Sequence, residues 1–188
     1  MKSKKAFTLL FSLILLLELL VPIAKVQAEG ILYGFREKDQ FYDYSSVATV
    51  SGQWGANLFE GNDREKKFLK ILPKNSQWQV YGYTSRYDGF YYWAGGDLWI
   101  QAKQVRVPVY DDNDALLSTV TRYHDENEAD SRWHVIYHGY NSPYGNYWGD
   151  RFWEVKDQSI FYPQYFYHFI VYPNGDAYQI DIDGAPFN

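Results

Sequence analysis

The 188-residue chain carries 18 Lys+Arg against 23 Asp+Glu, a formal net charge of -5, with 20% aromatic residues and no cysteine. Bulk electrostatic capture of nucleic acid or anionic lipid is excluded by the acidic balance. A disulfide framework and a cysteine nucleophile are excluded by the missing thiol, so packing alone must hold the fold.

Residues 1–28 read as a secretory signal peptide. Lys2, Lys4 and Lys5 precede an apolar run from Ala6 to Ile23, and Val26-Gln27-Ala28 fits the small-x-small cleavage rule. Glu18 interrupts the run, which argues for cleavage rather than a retained membrane anchor. The processed chain then starts near Glu29 and, with no second long apolar run, has no expected membrane contact. Loss of Lys2, Lys4, Lys5 and Lys25 with Glu18 takes the net charge from -5 to -8. All 7 Trp and all 19 Tyr remain, and these residues favour strands and bury large areas behind a polar tip. A cysteine-free exported chain with a lysine-rich leader suggests a Gram-positive source.

Residues 29–46 form a lead-in segment without clear period. From Val47 the chain reads as short strands. Leu58-Phe59 ends at the turn cluster Glu60-Gly61-Asn62-Asp63. Phe68 to Leu72 is apolar and stops at Pro73. Trp78-Gln79-Val80-Tyr81 alternates, with Trp78 and Val80 on one face. Asp88-Gly89 is a hairpin signal before Phe90-Tyr91-Tyr92-Trp93. Gly95-Gly96-Asp97 leads to the short strand Leu98-Trp99-Ile100, and Val105-Arg106-Val107 closes this unit. Helical periodicity is weak throughout; the one candidate is a short helix over Asp114–Thr121.

A repeat is suggested next. Ser76-Gln77-Trp78-Gln79-Val80 matches Ser131-Arg132-Trp133-His134-Val135, and Leu98-Trp99-Ile100 matches Phe152-Trp153-Glu154-Val155, at periods of 55 and 54. Leu58-Phe59-Glu60 similarly matches Val109-Tyr110-Asp111. Duplication gives unit 1 over 47–107 and unit 2 over 108–160, with Trp78, Val80, Trp99, Trp133, Val135 and Trp153 as core. Residues 161–188 read as a C-terminal hairpin, free or part of unit 2, built from Tyr165–Tyr172, the turn Pro173-Asn174-Gly175-Asp176, and Ala177–Ile182.

Unit 1 resembles a known family. Ser76-Gln-Trp-Gln-Val-Tyr-Gly82, Tyr91-Tyr-Trp-Ala-Gly-Gly-Asp-Leu-Trp-Ile-Gln-Ala102 and Val105 are similar to the surface-layer-protein type of wall-binding domain of lactobacilli, with its small SH3-like barrel. The resemblance implies an all-β chain of tandem SH3-like barrels and a non-catalytic role in attachment to cell-wall polymer. This chain is acidic where the family's wall-binding domains are basic.

Sugar binding calls for aromatic faces with nearby hydrogen-bonding groups. Tyr83, Tyr87, Tyr91 and Trp93 flank the Asp88-Gly89 turn, and Tyr140, Tyr144, Tyr147 and Trp148 flank Pro143 and Gly145. Loops between strands are exposed by default, so these eight are the candidate ligand-binding residues. His134 and His138 on one strand lie about 13 Å apart, too far to share a zinc ion. The acidic runs Asp111–Asp114 and Asp125–Glu128, and Asp181 with Asp183, lack the calcium-loop pattern and read as solvated turns. No Gly-x-Ser-x-Gly or His-Glu-x-x-His occurs. The expectation is a secreted binding protein with neither metal nor cofactor, whose partner is cell-wall polysaccharide or a surface-layer protein. A structural protein-protein component of the surface is the alternative. A small wall-sugar hydrolase built on unmarked carboxylates among Glu60, Asp97, Asp150 and Glu154 is the other.

Overall fold

The computed structural model describes residues 39–123, 131–140, 151–159, 161, 162, 164 and 166–180. The expected signal peptide and the first part of the lead-in segment lie outside these residues. So do His124, Asp125–Glu128, Tyr144, Tyr147, Trp148, Asp150, Asp181 and Asp183.

The fold is all-β, with one α-helix among the described residues. The strands are β1 (Phe41–Val50), β2 (Ala56–Glu60), β3 (Lys67–Leu72), β4 (Gln77–Arg86), β5 (Gly89–Trp93), β6 (Leu98–Gln101) and β7 (Val105–Arg106). Helix α1 (Asp112–Tyr123) follows, then β8 (Ser131–Tyr140), β9 (Arg151–Ser159), β10 (Phe166–Val171) and β11 (Ala177–Ile180). Two antiparallel sheets result, ordered β3-β2-β6-β5-β4-β1-β7 and β11-β10-β9-β8.

Local sequence accounts for most of these elements. Alternation sends Phe90 and Tyr92 inward and Tyr91 and Trp93 to the other face of β5. Gly89, with φ +121°, supplies the conformation that the β4–β5 turn needs and that side-chain-bearing residues rarely adopt. The lead-in expectation needs correction: Phe41 to Ser46 belong to β1, which pairs with β4 through a register irregularity between Asp43 and Ser46. That irregularity hides the alternation in the sequence.

The expected tandem barrels also need correction. Among the described residues neither sheet closes, because the edge strands β3 and β7 pair only with β2 and β1, and β11 and β8 only with β10 and β9. The matched tryptophans do not mark equivalent strands either. Trp78 on β4 and Trp99 on β6 have β5 between them, whereas Trp133 on β8 and Trp153 on β9 lie on directly paired strands. Val109-Tyr110-Asp111, matched to β2, is not a strand but leads into α1. The C-terminal hairpin joins the second sheet, since β10 pairs with β9.

Helix α1 is longer than the sequence suggested. Asp111 Oδ1 accepts from the Asp114 backbone N–H at 2.9 Å, and Asp114 Oδ2 accepts from the Tyr110 N–H at 2.9 Å. The expected solvated turn is therefore a helix N-terminus, where acidic groups complement the dipole. Ala115 to Thr121 are all buried, so no apolar stripe stands out against a polar face. The buried hydroxyls are satisfied: Thr119 donates to Ala115 O at 2.8 Å, and Ser118 donates to Gly175 O at 3.0 Å.

One core joins the two sheets and the helix. It includes Val80, Tyr92 and Ile100 of the first sheet, Leu116 and Val120 of α1, and Trp133, Trp153, Val155 and Phe169 of the second. Trp78 and Val135 pack against it half-buried. A smaller cluster, Phe152, Ile170, Tyr172 and Ile180, fills the other face of the second sheet. Among the described residues no helix is long and apolar enough to cross a membrane.

Candidate functional site

Directly opposed residues on neighbouring strands point to the same face. The inner face of the first sheet carries Tyr42, Tyr83, Tyr92, Ile100 and Leu58 in successive pairings. The outer face carries Gly82, Trp93, Trp99, Phe59 and Phe68, one residue from each of β4, β5, β6, β2 and β3. The large sheet thus has two aromatic faces, and among the described residues the core covers only the inner one.

The outer row is knitted by ring contacts. Phe41 stands edge-on to Trp93 at 5.6 Å and to Trp99 at 6.3 Å between centroids. Tyr81 meets Trp93 at 5.8 Å, and Phe59 meets Phe68 at 6.1 Å. Gly82 makes the arrangement possible: a Cβ there would collide with the Phe41 ring. Phe41, Tyr81 and Phe68 remain exposed, at 43%, 47% and 56%, while Trp93 and Trp99 are half-buried. Polar groups border the row. Asp43 pairs opposite Gly82, and Asn57 Nδ2 donates to Gln101 Oε1 at 3.2 Å.

One end of this face is closed by the chain itself. The Lys66 ammonium lies 2.7 Å from Asp88 Oδ2 and over the rings of Tyr87, Tyr91 and Phe59 at 5.4, 5.5 and 5.8 Å. Tyr91 donates its hydroxyl to the same Asp88 oxygen at 2.9 Å. Burial, with the Asp88 carboxylate adding to it, pushes the Tyr91 phenol far above its ordinary range. An ammonium in an aromatic box with one carboxylate is a strong electrostatic arrangement. Here it clasps the β2–β3 hairpin to the β4–β5 turn. Lys66→Met should cost about 2 kcal/mol of stability, read as a lower urea midpoint; an unchanged midpoint would show that the clasp contributes nothing.

The sequence-chosen residues divide accordingly. Trp93 lies on the open face, and Tyr87 is 40% exposed at the clasp. Tyr83 and Tyr91 need correction as ligand contacts. Tyr83 is 7% exposed and stacks on Tyr42 at 5.2 Å, and Tyr91 is 1% exposed beneath Lys66. Tyr140 is 68% exposed at the end of β8. Its expected companions Tyr144, Tyr147 and Trp148 lie outside the described residues. Of the expected core, Val80, Trp133 and Trp153 are buried. Trp99 is corrected to the outer face, because its neighbours Leu98 and Ile100 face the core. Sequence reasoning missed Phe41, Tyr81, Phe59 and Phe68, whose only signal was period-two alternation with inward-facing neighbours.

The remaining chemistry-bearing groups sit in separate pairs. Glu60 meets Lys67 at 3.2 Å, and Glu154 meets His168 at 3.2 Å. Asp112 Oδ1 lies 3.3 Å from His138 Nδ1 and accepts from Trp153 Nε1 at 3.0 Å. Among the described residues no three His, Asp or Glu side chains gather as a metal site would require. No protein-family model matches this chain, and neither does any curated protein or any solved structure.

Proposed function

We propose that this chain is an exported, non-catalytic binding protein that holds to cell-wall or other cell-surface polysaccharide of a Gram-positive bacterium through the open aromatic face of its larger sheet. The observation that carries this reading is the row Trp93, Trp99, Phe59 and Phe68, one ring per strand, with Phe41 and Tyr81 exposed beside it. A contiguous apolar patch on a water-soluble surface marks a binding site. Flat rings offer faces to the C–H face of a pyranose, and bordering groups such as Asp43, Asn57 and Gln101 take its hydroxyls. Stacking needs no net charge, so the acidic balance that disfavours capture of an anionic polymer does not weaken it. The resemblance of residues 47–107 to surface-layer wall-binding domains points the same way.

Trp93→Ala with Trp99→Ala should lower retention on isolated wall polysaccharide at least about tenfold, a loss of about 1.4 kcal/mol. Circular dichroism would confirm that the sheet persists. Equal retention of the doubly substituted and native chains would sink this assignment of the site, and failure of the native chain to bind any wall polysaccharide would sink the function.

A further inference from the structure

The two edges of the larger sheet differ. β7 has two residues and is covered: Arg106 bonds Asp176 at 3.1 Å, and Gly175 lies against the Val107 backbone. Among the described residues β3 is paired only with β2, and Lys67, Phe68, Leu69, Lys70 and Ile71 are all exposed. Phe68, Leu69 and Ile71 stand at 56%, 45% and 54%. Residues 64–74 hold Arg64, Lys66, Lys67, Lys70 and Lys74 against Glu65, a surplus of four positive charges in a chain of net charge -5. Lys66 is taken up by Asp88, and Lys67 reaches across the hairpin to Glu60. Among the described residues Lys70 and Lys74 have no carboxylate partner.

We propose that β3 is the docking edge for an acidic, extended polypeptide segment of another protein, which adds to the sheet as a further strand. Three properties of the edge select this occupant. Its local charge is opposite to that of the chain, so it attracts an acidic partner while like charge opposes pairing with β3 of a second copy. Its exposed side chains Lys67, Phe68, Leu69, Lys70 and Ile71 mix cations with apolar groups, which suits a strand that combines acidic with apolar residues. Its outward backbone N–H and C=O groups need hydrogen-bond partners on burial, which a polypeptide supplies and lipid hydrocarbon does not. Leu69 is an extra residue between the pairs Phe59–Phe68 and Leu58–Lys70, so the regular edge is short. Charge therefore carries much of the affinity, and the complex is salt-sensitive.

The test uses the full chain and a labelled synthetic peptide of about ten residues alternating Glu and Val, a length that spans one strand, read by fluorescence anisotropy. The Glu peptide should bind at least about tenfold more tightly than its Gln counterpart, and added salt should narrow the gap. Lys67→Glu with Lys70→Glu and Lys74→Glu should abolish that preference while retention on wall polysaccharide is unchanged. These side chains are exposed, and circular dichroism checks the fold. N-methylation of alternate peptide amides, in the two possible phases, should destroy binding in one phase. If both methylated peptides bind as well as the parent, strand addition is wrong. If phosphatidylglycerol vesicles bind the chain and the Glu peptide does not, the edge is a lipid-facing surface and the proposal falls.

Discussion

Gly175→Ala should lower the unfolding free energy by at least about 3 kcal/mol. Gly175 has φ +83°, which costs any side-chain-bearing residue about 1 kcal/mol or more. A Cβ there would also strike the Val107 carbonyl, and that obstacle is backbone. The turn it occupies is where the second sheet meets the first. Val109 N–H donates to Pro173 O at 2.9 Å, Ser118 donates to Gly175 O at 3.0 Å, and Arg106 bonds Asp176 at 3.1 Å. To relieve the collision the turn must lift, and these bonds loosen together. Gly96→Ala is the control: Gly96 has φ +58° and nothing within 4 Å of a Cβ. It should cost only about 1 kcal/mol. Equal losses in urea unfolding of the two variants would show that the Val107 contact does not hold the halves together.

Raising the pH above about 10 should unfold the protein cooperatively before about pH 12. Burial raises the phenol pKa values of Tyr83, Tyr91 and Tyr92 well above the ordinary tyrosine range, and these rings are 7%, 1% and 1% exposed. Neighbouring phenols or the Asp88 carboxylate add to the shift at Tyr83 and Tyr91. Tyr44 is raised as well, by burial first and then by Tyr92 and Asp114. A raised folded pKa on an acid means that the unfolded chain releases the proton first. Stability is then whole below the unfolded value of about 10 and falls as pH rises toward the folded values. Each of the three tyrosines removes about 1.4 kcal/mol per pH unit in that window, about 4 kcal/mol together. A domain stable by 5–15 kcal/mol, the general range, does not survive long against that slope. Tyrosinate absorbance and tryptophan fluorescence followed along one titration would check it. Tyrosinate formation with the ordinary pKa, while the fold stays intact, would contradict the buried assignment of these phenols.

Much of the strand inventory was legible because its signals are local. Asp88-Gly89 and Gly95-Gly96 announce turns by backbone conformation, and Phe90 to Trp93 announces a strand by residue type. Helix α1 was half-legible: Asp111 and Asp114 mark its start, yet burial on nearly every side erased the amphipathic stripe that would have given its length. The candidate site was legible only in part. Tyr91 and Trp93 share a face of β5 and looked equivalent, but Lys66, 25 residues earlier, covers one and leaves the other open. Trp99 looked like a partner of Trp153 because both sit in similar tripeptides. Facing is set by the register of the paired strands, and a one-residue difference reverses it.

By itself the sequence determined an all-β chain without disulfides, its turns, and an aromatic supply large enough to face both sides of a sheet. Only the tertiary structure decided that β2 pairs with β6 and β1 with β4, that the helix and the second sheet cover the inner face, and that β3 is left as a cationic edge. The reason is physical. Turn and strand preferences act over a few residues, whereas coverage and edge status depend on contacts between residues far apart in the chain, and those are settled by the shared core.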